Sequence, residues 1–310
     1  MKKIFLLLAL LSTIVVADAN TPKSTDVDLR IGTYNVWSHL ARASKIRKGG
    51  AVEERSWDSS KKAVAQQIVD INCDILAMQE VTLVCRDDLA KLVKKAGGKR
   101  YNLWWVNTYP EGHRSVVGNA VFYDKKRFKL ENRKIYYFSP TPEKISKGWD
   151  EERYYRSSLV TVVTDKKSGK KFFLFATHGP LKKEANGHAG RLLVEFDKKY
   201  NSEGLPSIAM GDMNARPEQA FHQAMCAHFE DCALVATEKV GPIGTFNSAS
   251  GSDKNLSLPH RRIDHVYVHS TDKGGFEVLR YEVVTKKYKI GNNMHYPSDH
   301  CPVVVDLKFK

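Results

Sequence analysis

A chain of 310 residues with 42% hydrophobic and 27% charged side chains can build one large domain or two modest ones around a real core, and is too apolar for a disordered tail. Its five cysteines are too few for a disulfide-stapled fold and leave at least one unpaired, and no Cys/His spacing has the form of a zinc site. The formal charge of +14, spread in short Lys/Arg groups, favours a polyanionic partner: nucleic acid or an anionic membrane surface.

In chain order, the first element is a leader. In "MKKIFLLLALLSTIVVADA", Lys2 and Lys3 precede an apolar stretch from Ile4 to Val16 and the cleavage pattern Ala17-Asp18-Ala19. That stretch is short for a bilayer span. The expected division is a signal peptide, 1–19, and a single domain, 20–310, secreted or periplasmic. No cysteine near the cleavage site suggests a lipid anchor, and no later segment reads as transmembrane. A polar arm, "NTPKSTD", leads into apolar runs that alternate with helical stretches: "LRIGTYNV", "DILAMQEV", "NLWWVNTY", "GNAVFYD", "SSLVTVVT", "KFFLFATH", "SIAMGDMN", "RIDHVYVH", "FEVLRYEVVT" and "CPVVVDLKF". Helices are expected at 59–72, 86–96, 190–200 and 217–229, the first with Ser59 at its start and Ala63, Val64, Ile68 and Val69 at helical spacing. Many strands, few helices and runs apolar on both faces imply sheets covered by helices. A Cys226–Cys232 bridge would require the helix between them to break.

Several of these runs stop at a polar residue able to hold metal or phosphate: Asn35, Glu80, His178, and Asp212 with Asn214. Asp264 and the pair Asp299-His300 stand instead where strands begin. Any one of these is an ordinary strand cap. Together they share one vocabulary of carboxylate, carboxamide and imidazole, and meeting at one edge they would repel unless a cation sat among them.

At these residues the sequence resembles the endonuclease/exonuclease/phosphatase superfamily, the deoxyribonuclease-I-like group. The ordered set "TYNVW", "AMQEV", "ATH", "GDMN", "GTFNS", "RIDHV" and "SDHCPV" runs from Thr33 to Val303, and "YYFSPTPEKISKGWDEERYYR" is similar to secreted bacterial members. The resemblance implies an α/β fold: a four-layer α/β sandwich, two packed mixed β-sheets flanked by helices, with the active site at one edge. It implies Glu80, Asn35 and Asp299 as ligands of Mg²⁺ or Mn²⁺, with Ca²⁺ as an additional ion. Some relatives carry an Asp two residues after the Asn; here that residue is Trp37, which makes a two-metal scheme less secure.

For hydrolysis of a phosphodiester, a water must be aligned opposite the leaving oxygen and deprotonated as it attacks. Asp212 is the expected general base, with Asn214, two residues on and on the same side of a strand, holding the water or a phosphoryl oxygen. His178 and His300 would donate to the phosphoryl oxygens, and Asp264 would orient His300 and favour its imidazolium. Arg156 is similar to a family arginine near the substrate phosphate, and Thr245 and Phe246 read as a turn on the substrate rim. His265, His269 and His295 fit no such role and read as surface or loop histidines. A nuclease is the first expectation, with "WSHLARASKIRKGG" (Trp37, Lys45, Arg47, Lys48) as a basic, stacking track; Trp104, Trp105, Tyr154 and Tyr155 fit either core or rim. The alternative is a phosphodiesterase or phosphatase acting on phospholipid, sphingolipid or inositol phosphates, and the last a non-catalytic binding or toxin-like module. No feature implies a stable protein partner, so a monomer is expected.

Overall fold

The computed structural model describes residues 25–38, 40, 55–149 and 152–310; the leader and the basic track at Lys45, Arg47 and Lys48 lie outside them. The first of two sheets is built around β1 (Leu29–Asn35), which runs parallel to β2 (Ile75–Thr82) and antiparallel to β15 (Val303–Phe309). It extends through β4 (Val117–Asp124) to β3 (Tyr101–Asn107) on one side, and through β12 (Phe276–Val283) to β10 (Glu238–Val240) on the other. The second sheet has the order β5 (Phe128–Tyr137), β6 (Ser157–Asp165), β7 (Lys171–His178), β8 (Ser207–Asp212), β11 (Asp264–His269) and β9 (Glu230–Asp231). Within it β7 and β8 are parallel and the other neighbours antiparallel. A small hairpin, β13 (Tyr288–Ile290) and β14 (Asn293–His295), stands apart.

Side-chain alternation sorts each strand into two faces. Leu29, Ile31, Ile75, Val121, Val303 and Val305 of the first sheet meet Leu159, Leu174, Ile208, Met210 and Val266 of the second in the central core. The opposite face of the first sheet, with Tyr34, Leu76, Met78 and Phe122, is covered by α1 (Trp57–Asp70) and α2 (Leu83–Lys95). On the second sheet, Phe173, Phe175, Ala209 and Tyr267 pack under α3 (Lys183–Tyr200) and α4 (Ala220–Cys226). Helix, sheet, sheet, helix: the result is the four-layer α/β sandwich of two mixed sheets. Each buried aliphatic side chain contributes about 1.5–3 kcal/mol, so the central layer fixes how the two sheets meet at their edges.

Some boundaries differ from expectation for local reasons. Helix α1 is capped by Ser56, whose side chain accepts from the Ser59 N–H, so the helix starts before Ser59. Helix α3 begins at Lys183, not Gly190; Gly190 is an interior residue whose missing side chain lets the helices touch, since a Cβ there would stand 2.7 Å from the Phe221 carbonyl oxygen. Helix α4 ends at Cys226, well short of Phe229. Strand β5, "FKLENRKIYY", has no apolar run because it forms an edge of its sheet and leaves charged residues in solvent. All five cysteines are free thiols, so Cys226 and Cys232 are not bridged.

Candidate active site

The inner-face parity of four strands ends on polar residues at the same edge of the sandwich. On β7 the series Leu174, Ala176 continues to His178; on β8, Ile208 and Met210 lead to Asp212; on β11, Val266 is preceded by Asp264. These three are direct neighbours in register, His178 opposite Asp212 and Asp212 opposite Asp264, forming one polar rung across the second sheet. From the facing sheet, β1 brings Leu29, Ile31, Thr33 and then Asn35 to the same edge. The Asn35 amide donates to Asp212 Oδ2 at 2.9 Å and to Glu80 Oε1 at 3.3 Å, joining the two sheets' carboxylates.

Glu80 reaches this point by breaking the alternation. Leu76 and Met78 face the helices, so regular alternation would send Glu80 the same way. Instead the pairing of β2 with β4 shifts register between Met78 and Val81, and Glu80 adopts a left-handed backbone with φ 60°. A non-glycine residue in that conformation is uncommon and costs about 1–3 kcal/mol, and a bulge is the device that re-aims a side chain. Val81 resumes the helix-facing side, while the Glu80 carboxylate is held by Asn35 and by the Ser38 N–H, which donates to Oε2 at 2.8 Å.

His300 precedes β15, and its Nδ1 lies 2.8 Å from Asp264 Oδ2 while its Nε2 lies 3.8 Å from Asp212 Oδ2. Burial opposes charging this ring, but Asp264 and then Asp212 outweigh it and raise its pKa to about 10, so it is an imidazolium at neutral pH. Burial likewise opposes the charge on Asp212, yet His300, His178 and the Asn35 amide hold its carboxyl well below the usual range. His178 differs from His300. Burial first, and the Arg156 guanidinium second, lower its pKa, and its Nε2 accepts from Arg156. The two histidines therefore differ in charge: His300 carries a proton on both nitrogens, with Nδ1 donating to Asp264, and His178 is a neutral ring beside a permanent cation.

The cleft that receives these groups has a volume of about 840 Å³ and is lined by Glu80, Arg156, His178, Asp212, Asn214, Asp299 and His300. Seven of the ten candidate residues line this cleft, and Asn35 and Asp264 are hydrogen-bonded directly to residues that do. Thr245 lies behind the cleft rather than on its rim: it is fully buried, and its hydroxyl donates to Asp264 Oδ2 at 2.5 Å. Phe246, beside it, does line the cleft, its ring 4.9 Å from that of His300. Asn214 lies past the end of β8 with φ 49°, and its N–H donates to Asp212 Oδ1 at 2.9 Å. An Asx-turn, not strand alternation, brings the pair together. Trp37 is buried under the Arg55 guanidinium, 4.8 Å from the ring centroid, and offers no stacking surface. Tyr154 and Tyr155 line the cleft, whereas Trp104 and Trp105 pack on the two faces of β3. His265 is fully buried, with Nε2 2.9 Å from the Ala215 carbonyl oxygen, and so is no surface histidine. Tyr109, Arg114 and Asn119 join the cleft from the β3–β4 connection and β4; their motifs carry no catalytic vocabulary that would single them out.

The donor set fits a hard divalent cation. Glu80 and Asp299 both line the cleft, and the two N–H donors on Glu80 fix its orientation while leaving lone pairs for a ligand. Asn35 differs from expectation: its oxygen accepts from the Trp37 N–H at 3.0 Å and its NH₂ faces the carboxylates. In this arrangement it braces Glu80 and Asp212 rather than presenting its oxygen as a primary ligand.

The match of residues 32–300 to the Endonuclease/Exonuclease/phosphatase family runs from the middle of β1 to His300 and takes in every strand that supplies the rung. The chain belongs to that family. Members of the Endonuclease/Exonuclease/phosphatase family are phosphoric ester hydrolases that typically use divalent metals. The chain is similar to nocturnin of Rattus norvegicus, with 25% identity over 293 residues, 88% of this chain and 64% of nocturnin, so it spans just under two thirds of that relative. It is also similar to the mannosyl-6-phosphatase of Bacteroides thetaiotaomicron VPI-5482, with 25% identity and a TM-score of 0.77 over 90% of this chain and 99% of the other. The D. rerio TDP2 complexed with single strand DNA product shares the fold, with 16% identity and a TM-score of 0.62 over 90% and 98% of the two chains.

Proposed function

We propose that this family member is a divalent-metal-dependent phosphodiester hydrolase acting on nucleic acid, exported from the cytoplasm by its leader. The His178–Asp212–Asp264 rung with His300 set against it is the observation that carries the hydrolase reading. Asp212, ionised and central, accepts the proton of the attacking water, which Asn214 helps to place. His300, charged and held by Asp264, donates to a phosphoryl oxygen as negative charge grows there, and Arg156 moves from His178 to a second oxygen. Glu80 and Asp299 would hold a Mg²⁺ or Mn²⁺ ion, which supplies Lewis-acid stabilisation of the same charge. The nucleic-acid reading rests on the excess of +14 and on a cleft wall of Tyr109, Tyr154 and Tyr155 with Arg114 and Arg156. Aromatic faces and guanidinium groups together are what bases and their phosphates require.

A second reading is favoured by the size of the cleft. A volume of about 840 Å³ lies within the roughly 300–1,000 Å³ of small-molecule sites, which suits a phosphorylated sugar, and the mannosyl-6-phosphatase is among the similar structures. The test is a substrate panel on the purified protein with Mg²⁺ or Mn²⁺: duplex DNA, single-stranded DNA, RNA, sphingomyelin, inositol phosphates and hexose 6-phosphates. The expected result is cleavage of a nucleic acid, stopped by a chelator, with Asp212→Asn and His300→Ala each lower by at least about 10²-fold. Turnover of a hexose phosphate alone would establish the second reading. Full activity in both variants would overturn the assigned roles.

A further inference from the structure

The far end of the second sheet holds another set of metal-ligating side chains. His269 closes β11 opposite Ser207 at the start of β8, five residues along from the Asp264–Asp212 rung, or roughly 17 Å at about 3.4 Å per residue. Asp197 comes from the last turns of α3, and His228 from the turn that follows α4. One carboxylate oxygen of Asp197 and one ring nitrogen of each histidine lie within 4.8 Å of one another. The His228 and His269 rings are stacked, centroids 4.0 Å apart and tilted by 26°.

Asp197 is 4% exposed, and among the described residues no lysine or arginine is paired with it. Its Oδ1 accepts from the Ser207 hydroxyl at 2.5 Å and from the Asn201 amide at 3.3 Å, and its Oδ2 stands 2.7 Å from His228 Nε2. A carboxylate this deep needs a positive partner, and here imidazoles alone are at hand. The contrast is with the buried set His222, Asp231 and His265, equally close-knit. There the Arg262 guanidinium lies 2.7 Å from Asp231 Oδ2 and 3.4 Å from His265 Nδ1, filling with a permanent charge the place a cation would take. At Asp197 no guanidinium takes that place among the described residues, and the two histidines, only partly buried, give it access to water.

We propose that Asp197, His228 and His269 form a second metal site, for Zn²⁺ or a similar borderline divalent ion, separate from the oxygen-donor set of the cleft. Two imidazole nitrogens and one carboxylate oxygen are a zinc ligand set, whereas Mg²⁺ prefers oxygen donors. Bonds of about 2.0–2.1 Å place tetrahedral ligand atoms roughly 3.3 Å apart, so metal binding would open the 2.7 Å His228–Asp197 pair slightly and draw the set together by rotation of the two rings. Ser207 and Asn201 orient the ligating carboxylate, as partners behind a metal ligand do, and water completes the coordination. The ion would pin α3, the exit of α4 and β11 to one another, three segments far apart in the chain.

The experiment titrates ZnCl₂ into chelator-stripped whole protein by calorimetry, with millimolar Mg²⁺ present throughout. Co²⁺ replaces Zn²⁺ in parallel, to read coordination by visible absorption. One zinc per chain is expected, with a rise in Tm. His228→Gln and His269→Gln should each weaken it by at least about 10–100-fold, the loss already seen when only an outer partner of a metal ligand is removed. Both should retain Mg²⁺-dependent activity, which also reports that they fold. Glu80→Gln should keep the zinc. Unchanged zinc affinity in both histidine variants would overturn the site, and so would loss of all zinc binding in Glu80→Gln. Because this site uses no residue of the cleft, its failure would leave the hydrolase reading untouched.

Discussion

Replacing Asp264 by Asn tests the charge state on which the proposed role of His300 depends. In the folded protein Asp264 is the strongest influence raising the His300 pKa, with Asp212 next, against the opposing effect of burial. Raising a histidine from about 6.5 to about 10 corresponds to roughly 5 kcal/mol of preference for the imidazolium, at 1.36 kcal/mol per pKa unit. Breaking a buried pair by removing one partner costs a similar amount, about 3–5 kcal/mol. The sign follows from the raised pKa: this stabilisation is complete below pH ~6.5 and fades as pH rises toward about 10, where the folded-state imidazolium loses its proton. The stability gap between wild type and Asp264→Asn should therefore be widest near pH 6 and narrow steadily toward pH 10. At roughly 2 °C per kcal/mol for a chain of this size, the drop in Tm near pH 6 is about 6–10 °C. The assay is thermal unfolding across pH 5.5–10 in the presence of a chelator, so that no bound cation competes with the imidazolium, followed by kcat/KM with Mg²⁺. Activity of the variant should fall by about 10²-fold or more and lose its alkaline half. A stability gap of constant size from pH 6 to pH 10 would refute the argument.

Three further outcomes follow from the same geometry. Glu80→Gln keeps the shape of the bulge but removes a charged oxygen donor, so the concentration of Mg²⁺ or Mn²⁺ giving half-maximal activity should rise roughly 10–100-fold, with rescue at high metal; an unchanged metal titration would remove Glu80 from the ligand set. Arg156→Met takes away the cation that, after burial, most depresses the His178 pKa; NMR titration should show that pKa rising, and kcat/KM should fall by roughly 10–100-fold, the worth of a charged hydrogen bond of about 1.5–3 kcal/mol. Gly211→Ala would place a Cβ 2.0 Å from the Thr177 carbonyl oxygen, where β7 and β8 pair; the strands must part next to the His178–Asp212 rung, so Tm should drop and kcat should fall by more than the loss of folded protein explains.

The layers of the fold were legible because the strands announce themselves: "KFFLFATH" and "SIAMGD" are apolar on both faces, as strands buried between a sheet and helices must be. The edge strand β5 was not, since solvent on one side lets it carry Lys129, Glu131, Arg133 and Lys134. The site was legible in its residue types but less so in its geometry. His178, Asp212 and Asp264 fall on the inner face by simple alternation, so the sequence suffices to bring them together. Glu80 does not: its aim depends on a bulge and a left-handed backbone that no local signal such as glycine marks. Thr245 reads as a rim residue because its turn is polar, yet packing has placed its hydroxyl behind Asp264. His265 reads as a surface or loop histidine because nothing in "RIDHVYVH" shows that both faces of β11 are covered, the second by α4 and its neighbours. What alternation cannot supply is the second covering layer, and that information is spread over residues distant in the chain.

The same layering bears on how many cations the cleft can hold. Where some relatives carry a carboxylate, Trp37 lies buried with φ 57°, and the Arg55 guanidinium packs over it. Arg55 is itself 2% exposed, donates to the Ser298 and Ala249 carbonyl oxygens at 2.6 and 2.7 Å, and interacts electrostatically with Asp299. A fixed positive charge thus stands beside one of the proposed metal ligands. Four carboxylates gather at this edge, Glu80, Asp212, Asp264 and Asp299, against four permanent or induced cations, Arg55, Arg114, Arg156 and the His300 imidazolium. These charges balance. One divalent ion together with a phosphodiester monoanion then leaves a single positive charge, while a second ion would raise that surplus to three inside a cleft walled by low-dielectric protein. With a buried tryptophan at position 37 and an arginine over it, one Mg²⁺ or Mn²⁺ per cleft is the outcome expected from a metal titration followed by activity, and a stoichiometry of two would refute this electrostatic argument.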